Sequence, residues 1–132
     1  MGYIQYNDYR IYPIDRRFLM KVVFYKNKKG EEPARDFLDS LDKKMRAKMT
    51  RTIQLLETNG NRLREPYAKS LRDGIFELRA KEGSDITRVL YFYVFGNKAV
   101  LTHGFIKKTN KTPPSEIERA IQYRDDYIKR DS

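Results

Sequence analysis

The pattern of apolar and polar positions divides the chain into a leader and an ordered series of elements. From Met20 the run Met20-Lys21-Val22-Val23-Phe24-Tyr25-Lys26 predicts a first strand. A turn follows at Asn27–Gly30, and Pro33 stands where a first helical turn tolerates it. Ala34, Phe37, Leu38 and Leu41 recur at helical spacing and predict a short amphipathic helix. Asp42 suits the N-cap of a second helix with the stripe Met45, Met49, Ile53 and Leu56, and Gly60 falls where a left-handed residue would end it. The methionines match a buried face better than an adaptable binding surface.

After the loop around Pro66 the period becomes alternating. Over Ile75–Lys81, Phe76, Leu78 and Ala80 share one face and Glu77, Arg79 and Lys81 the other. Gly83-Ser84-Asp85 marks a turn. Ile86–Phe95, rich in β-branched and aromatic residues, predicts a strand buried on both faces. Gly96-Asn97 makes a tight turn into a further strand over Ala99–Ile106. Lys107–Thr112 is a basic loop, and Thr112-Pro113 starts a helix whose buried stripe is Ile117, Ala120, Ile121 and Ile128. The series predicts an α+β domain: a twisted antiparallel sheet, two N-terminal helices packed on it and a C-terminal helix. Residues 1–19, with Tyr3, Tyr6, Tyr9 and Tyr12, follow neither period and read as an N-terminal extension, leaving 20–132 as the domain.

Composition narrows the function classes. At 132 residues the chain suits one domain. No stretch approaches the roughly eighteen apolar residues that span a bilayer, and the N-terminus lacks the features of a secretory signal. A cytoplasmic location is the default expectation. Zero Cys excludes disulfides and thiolate metal sites, and a single His excludes a multi-histidine site, so neither cofactor nor metal is expected. Lys+Arg 28 against Asp+Glu 18 gives +10, which favours polyanionic partners through counterion release. A membrane-surface role is disfavoured, because no helix pairs a basic face with an aromatic-rich one.

The cations gather on and around the sheet: Lys69, Arg72, Arg79, Lys81, Arg88, Lys107, Lys108 and Lys111. Arg88 shares a strand face with Ile86, Leu90, Phe92 and Val94, where a guanidinium is costly unless it meets an anion or a carboxylate. Glu77 is the obvious internal partner. The neighbouring Arg79 and Lys81 tip the reading towards an anion site. Tyr91, Tyr93, Phe95 and Phe105 interleave with these cations as stacking platforms for unpaired bases, although alternation sets Tyr91 and Tyr93 opposite Arg88. His103 alone titrates near neutrality, but a lone strand histidine is more often structural than catalytic. Nucleophile elbows, phosphate loops and dinucleotide fingerprints are absent, as is a compelling carboxylate cluster for two-metal chemistry. Metal-free phosphodiester chemistry remains open.

Four blocks stand in order: Leu71-Arg72-Asp73-Gly74-Ile75-Phe76-Glu77-Leu78-Arg79, then Thr87-Arg88-Val89-Leu90-Tyr91-Phe92, then His103-Gly104-Phe105-Ile106-Lys107-Lys108-Thr109 with Thr112-Pro113, then Ile117-Glu118-Arg119-Ala120. Together they resemble the phage-derived, HigB-like branch of the RelE/ParE toxin superfamily, over roughly Met20 to Ile128. The resemblance implies a RelE-like domain and a toxin encoded beside a helix-turn-helix, HigA-like antitoxin. It further implies ribosome-dependent cleavage of mRNA, with ParE-type gyrase poisoning and a non-catalytic nucleic-acid-binding module as alternatives. By position Arg79, Lys81, Arg88 and Lys107–Lys108 fall where such toxins carry basic functional residues, and His103 and Phe105 lie in the same block. Lys69, Arg72, Tyr91, Tyr93, Phe105 and Lys111 are expected to contact RNA.

Overall fold

The computed structural model describes residues 16–131, so most of the 1–19 leader lies outside the described residues. Five strands form one sheet: β1 (Lys21–Phe24), β2 (Ala68–Ser70), β3 (Phe76–Glu82), β4 (Asp85–Val94) and β5 (Lys98–Lys107). Three helices accompany them, α1 (Pro33–Ser40), α2 (Lys43–Asn59) and α3 (Pro114–Asp131). The spatial order is β1-β5-β4-β3-β2. β3, β4 and β5 form the expected antiparallel meander, but β1 pairs parallel to β5, which makes the sheet mixed. β2 was not anticipated; its three residues pair antiparallel with Leu78, Glu77 and Phe76, and so short a segment carries no periodic signal. The first strand is shorter than the expected Met20–Lys26.

Local chemistry accounts for the boundaries. Pro33 opens α1, and the Asp42 carboxylate accepts the Met45 N–H at 2.8 Å as the N-cap of α2. Between the two helices, the Arg46 guanidinium donates to the carbonyls of Leu38, Asp39 and Leu41, which satisfies acceptors left over at the end of α1. Gly96 and Asn97 both take positive φ, 85° and 57°, as a tight turn joining β4 to β5 demands.

The core has two halves, one on each sheet face. Under α1 and α2 lie Leu38, Met45, Met49, Leu56, Leu78, Val89, Tyr91 and Leu101. Beneath α3 lie Ile75, Leu90, Phe92, Val100, Ile117 and Ala120. The register slips at Leu90/Tyr91, so that Thr102 of β5 has no partner, and its hydroxyl donates to the Leu90 carbonyl at 3.1 Å. This bulge resets alternation along β5. His103 and Phe105 consequently face α3, while Gly104 faces α1, whose Phe37 ring occupies the space a side chain would need.

Candidate nucleic-acid interface

β3 and β4 set Arg79 directly opposite Arg88, with Glu77 two residues along the same face. The Glu77 carboxylate is fully buried and gathers three partners. Arg79 Nε donates to Oε2 at 2.5 Å, the Thr112 hydroxyl donates to Oε1, and Arg88 Nε stands 3.4 Å from Oε1. Both guanidiniums also reach the basic loop: Arg79 Nη2 donates to the Asn110 carbonyl and Arg88 Nη2 to that of Thr109. Two cations thus share one carboxylate, and Arg88 Nε and Nη1 lack a hydrogen bond. Burial lowers the pKa of Arg88 most, Glu77 opposes this, and Arg79 adds to it.

This corrects the anion-site expectation for Arg88. Its side chain is 0% exposed and lies in the internal ion pair with Glu77, over the Phe105 ring at 5.8 Å. A phosphate cannot reach it while the loop is in place. Arg79 keeps 15% of its side chain exposed. The residue also lines a groove of about 740 Å3 between α2 and the free end of β3, where Lys48, Arg51, Lys69 and Lys81 supply further positive charge. Lys48 is partly committed, bonding Glu82 at 2.5 Å and the Lys81 carbonyl at 2.9 Å. Lys48 and Arg51 escaped the sequence reading, though their spacing of three on the polar face of α2 was available.

The remaining residues separate. Lys107, Lys108 and Lys111 are exposed on the loop. Arg72 is held by Asp73 at 2.6 Å and by Glu118 of α3. Phe105 is half-buried between His103 and Arg88. His103 is 2% exposed, with Nε2 3.0 Å from Glu116 Oε1 and Nδ1 3.1 Å from the Thr102 hydroxyl. Burial pulls its pKa below the ordinary value; Glu116 pulls the other way and Arg119 reinforces the drop. The imidazole is therefore sealed from solvent. The expectation that Tyr91 and Tyr93 stack on bases also needs correction. Tyr91 is buried beneath the helices, stacked on Phe76 at 5.6 Å, and Tyr93 packs edge-on against both rings. Phe95 at the β4–β5 turn is fully exposed and remote from the loop cations along β4.

Among the described residues, no three His, Asp or Glu side chains are grouped to hold a metal ion, and no helix is long and apolar enough to cross a membrane. Comparison with curated proteins finds no match. A family profile described as Phage derived protein Gp49-like (DUF891) matches residues 36–125, more than half of the chain. That span runs from α1 into α3 and contains the Glu77 cluster, the basic loop and the groove. The chain belongs to this Gp49-like family, within the RelE/ParE-like toxins of toxin–antitoxin systems.

Proposed function

We propose that the protein is a HigB-type toxin that inhibits translation by cutting mRNA on the ribosome, and that a HigA-like helix-turn-helix antitoxin restrains it in the cytoplasm. Residues 20–132 form the toxin domain in this reading, and 1–19 an extension without chemistry. The observation that carries it is Arg79, whose guanidinium is clamped by a buried carboxylate while its side chain keeps 15% exposure, in a residue that lines a cationic groove. A fixed charge of this kind stabilises a developing phosphorane without reorganising during the reaction. The RNA 2′-hydroxyl loses its proton, its oxygen bonds to phosphorus, the bond to the 5′-oxygen breaks and that oxygen takes up a proton. The products are a 2′,3′-cyclic phosphate and a 5′-hydroxyl. Arg79 contacts the phosphate, Lys81 beside it serves proton transfer, and Lys69, Lys107, Lys108 and Lys111 hold the flanking backbone. Arg88 acts through Glu77 and the loop as a positioning residue.

The test is induction of the toxin in cells followed by mapping of messenger ends and their end groups. Arg79→Ala should remove the new ends and relieve growth arrest while the protein stays folded. Arg79→Lys should also impair cutting, because a point charge loses the two-pronged phosphate contact. Intact transcripts accompanied by damaged DNA would overturn the reading in favour of a gyrase poison.

A further inference from the structure

Beyond Arg79 the groove changes character. Its floor is apolar, made by the buried side chains of Leu55, Ala80 and Ile86, and Tyr67 stands at its rim with 43% of its surface exposed. The Tyr67 backbone is pinned at both ends: its N–H donates to the Arg64 carbonyl at 3.0 Å, and its carbonyl accepts the Arg79 N–H at 2.9 Å. The ring therefore sits on a fixed backbone one strand spacing, about 4.8 Å, from that of Arg79. The cavity, about 740 Å3, falls within the range of small-molecule clefts, about 300–1,000 Å3.

The second odd feature is Glu65. It lines a groove carrying five cationic residues, yet its carboxylate makes no hydrogen bond or ion pair with any described residue. A carboxylate there repels the sugar–phosphate backbone, so backbone binding does not explain it. It does suit amine donors, which adenine, cytosine and guanine carry on their edges. Uracil offers two carbonyls and a single N–H.

We infer that this part of the groove is a subsite for one unpaired nucleobase of an RNA strand. Tyr67 is the stacking platform, and Glu65 is the acceptor that selects amine-bearing bases over uracil. The inference rests on the ribonuclease reading for the identity of the strand. Stacking tolerates every base, since each has a flat face, and so selection falls to the edge acceptor. Lys69 flanks the subsite and takes the neighbouring phosphate.

The test measures binding of the full chain to short oligoadenylate, oligocytidylate and oligouridylate, and to an abasic ribose-phosphate strand of equal length. The wild type should prefer adenylate and cytidylate. Tyr67→Ala should weaken oligoadenylate binding about tenfold and leave the abasic strand unchanged, while Tyr67→Phe retains affinity. Glu65→Gln should erase the preference over uridylate. Equal losses on adenylate and abasic strands, or none, would overturn the stacking site, and an unchanged base preference in Glu65→Gln would overturn the edge contact. Messenger-end mapping keeps the two readings apart. Uncut messenger together with Tyr67-dependent base binding sinks the ribonuclease and leaves the subsite. Cutting at unaltered positions by a Tyr67→Ala protein of unaltered affinity does the reverse.

Discussion

Replacing Glu77 with Gln removes a charge from the most enclosed polar group of the sheet while keeping its shape. The carboxylate is 0% exposed and receives Arg79 at 2.5 Å, the Thr112 hydroxyl, and Arg88 at 3.4 Å. Hydrogen bonds to charged groups contribute roughly 1.5–3 kcal/mol each, but the sum overstates the loss, because Gln keeps one acceptor oxygen. Its amide nitrogen, however, must face a guanidinium donor. Two buried or half-buried cations are then left with no counter-charge. Removing one partner of a buried pair costs about 3–5 kcal/mol, and that range is the expectation here. Against a total stability of about 5–15 kcal/mol, the variant should remain folded at low temperature but with a much lower urea midpoint. A melting temperature lower by about 10–20 °C follows for a chain of this size. Urea unfolding at constant slope is the assay. Adding Arg88→Met to Glu77→Gln should recover about 1–3 kcal/mol relative to the sum of the single changes, since each change strands what the other removes. A Glu77→Gln cost below about 1 kcal/mol, or strict additivity with Arg88→Met, would refute the buried-network reasoning.

Gly104→Ala should cost about 1–3 kcal/mol, because its methyl would overlap the Phe37 ring and stand 2.8 Å from the Arg88 carbonyl oxygen; wild-type urea stability in that variant would mean α1 can lift freely. His103 gives a pH dependence of definite sign. Its folded pKa lies below the ordinary 6.5, so the unfolded chain takes up the proton first and stability falls as pH drops through that value. The urea midpoint of the wild type should therefore fall more steeply between pH 7.5 and 5.5 than that of His103→Gln, and parallel slopes would contradict the burial argument.

The sequence pattern revealed most elements because their periods are strong. The Met45, Met49, Leu56 stripe and the Phe76, Leu78, Ala80 alternation both pack where their spacing predicts. Tyr91 and Tyr93 do lie on the face opposite Arg88, so the difficulty posed by alternation was real. Two features were illegible for physical reasons. The bulge at Thr102 breaks the period of β5 with neither a glycine nor a proline at the bulge itself, and it carries His103 to the α3 face. The groove is assembled from α2, the segment around Pro66 and β3, which are distant in sequence and meet through the unanticipated β2. Arg88 shows a different limit. A cation in an apolar strand has two solutions, an anion from outside or a carboxylate from inside, and only the register of β3 against β4 selects Glu77.

The fold also separates the surplus charge by residue type, and this decides which cations can serve a polyanion. Arginine after arginine is spent on backbone carbonyls. Arg46 closes α1, Arg64 holds Asn61 and Leu63, Arg88 and Arg79 hold the basic loop, Arg124 holds Asp73 and Arg130 holds Lys26. The planar fork suits that work, since several N–H groups can meet oxygens from successive residues at once. Lysine has no such geometry, and Lys69, Lys81, Lys107, Lys108 and Lys111 stay in solvent. Adaptable contacts to a polyanion therefore fall to these lysines, as mobile point charges. Arg79 belongs to both groups, with one nitrogen on Glu77, another on Asn110 and part of its side chain exposed. A guanidinium held on two sides cannot follow a moving phosphate. In the reaction proposed above it waits where the phosphate arrives, which is what transition-state stabilisation requires of a fixed charge.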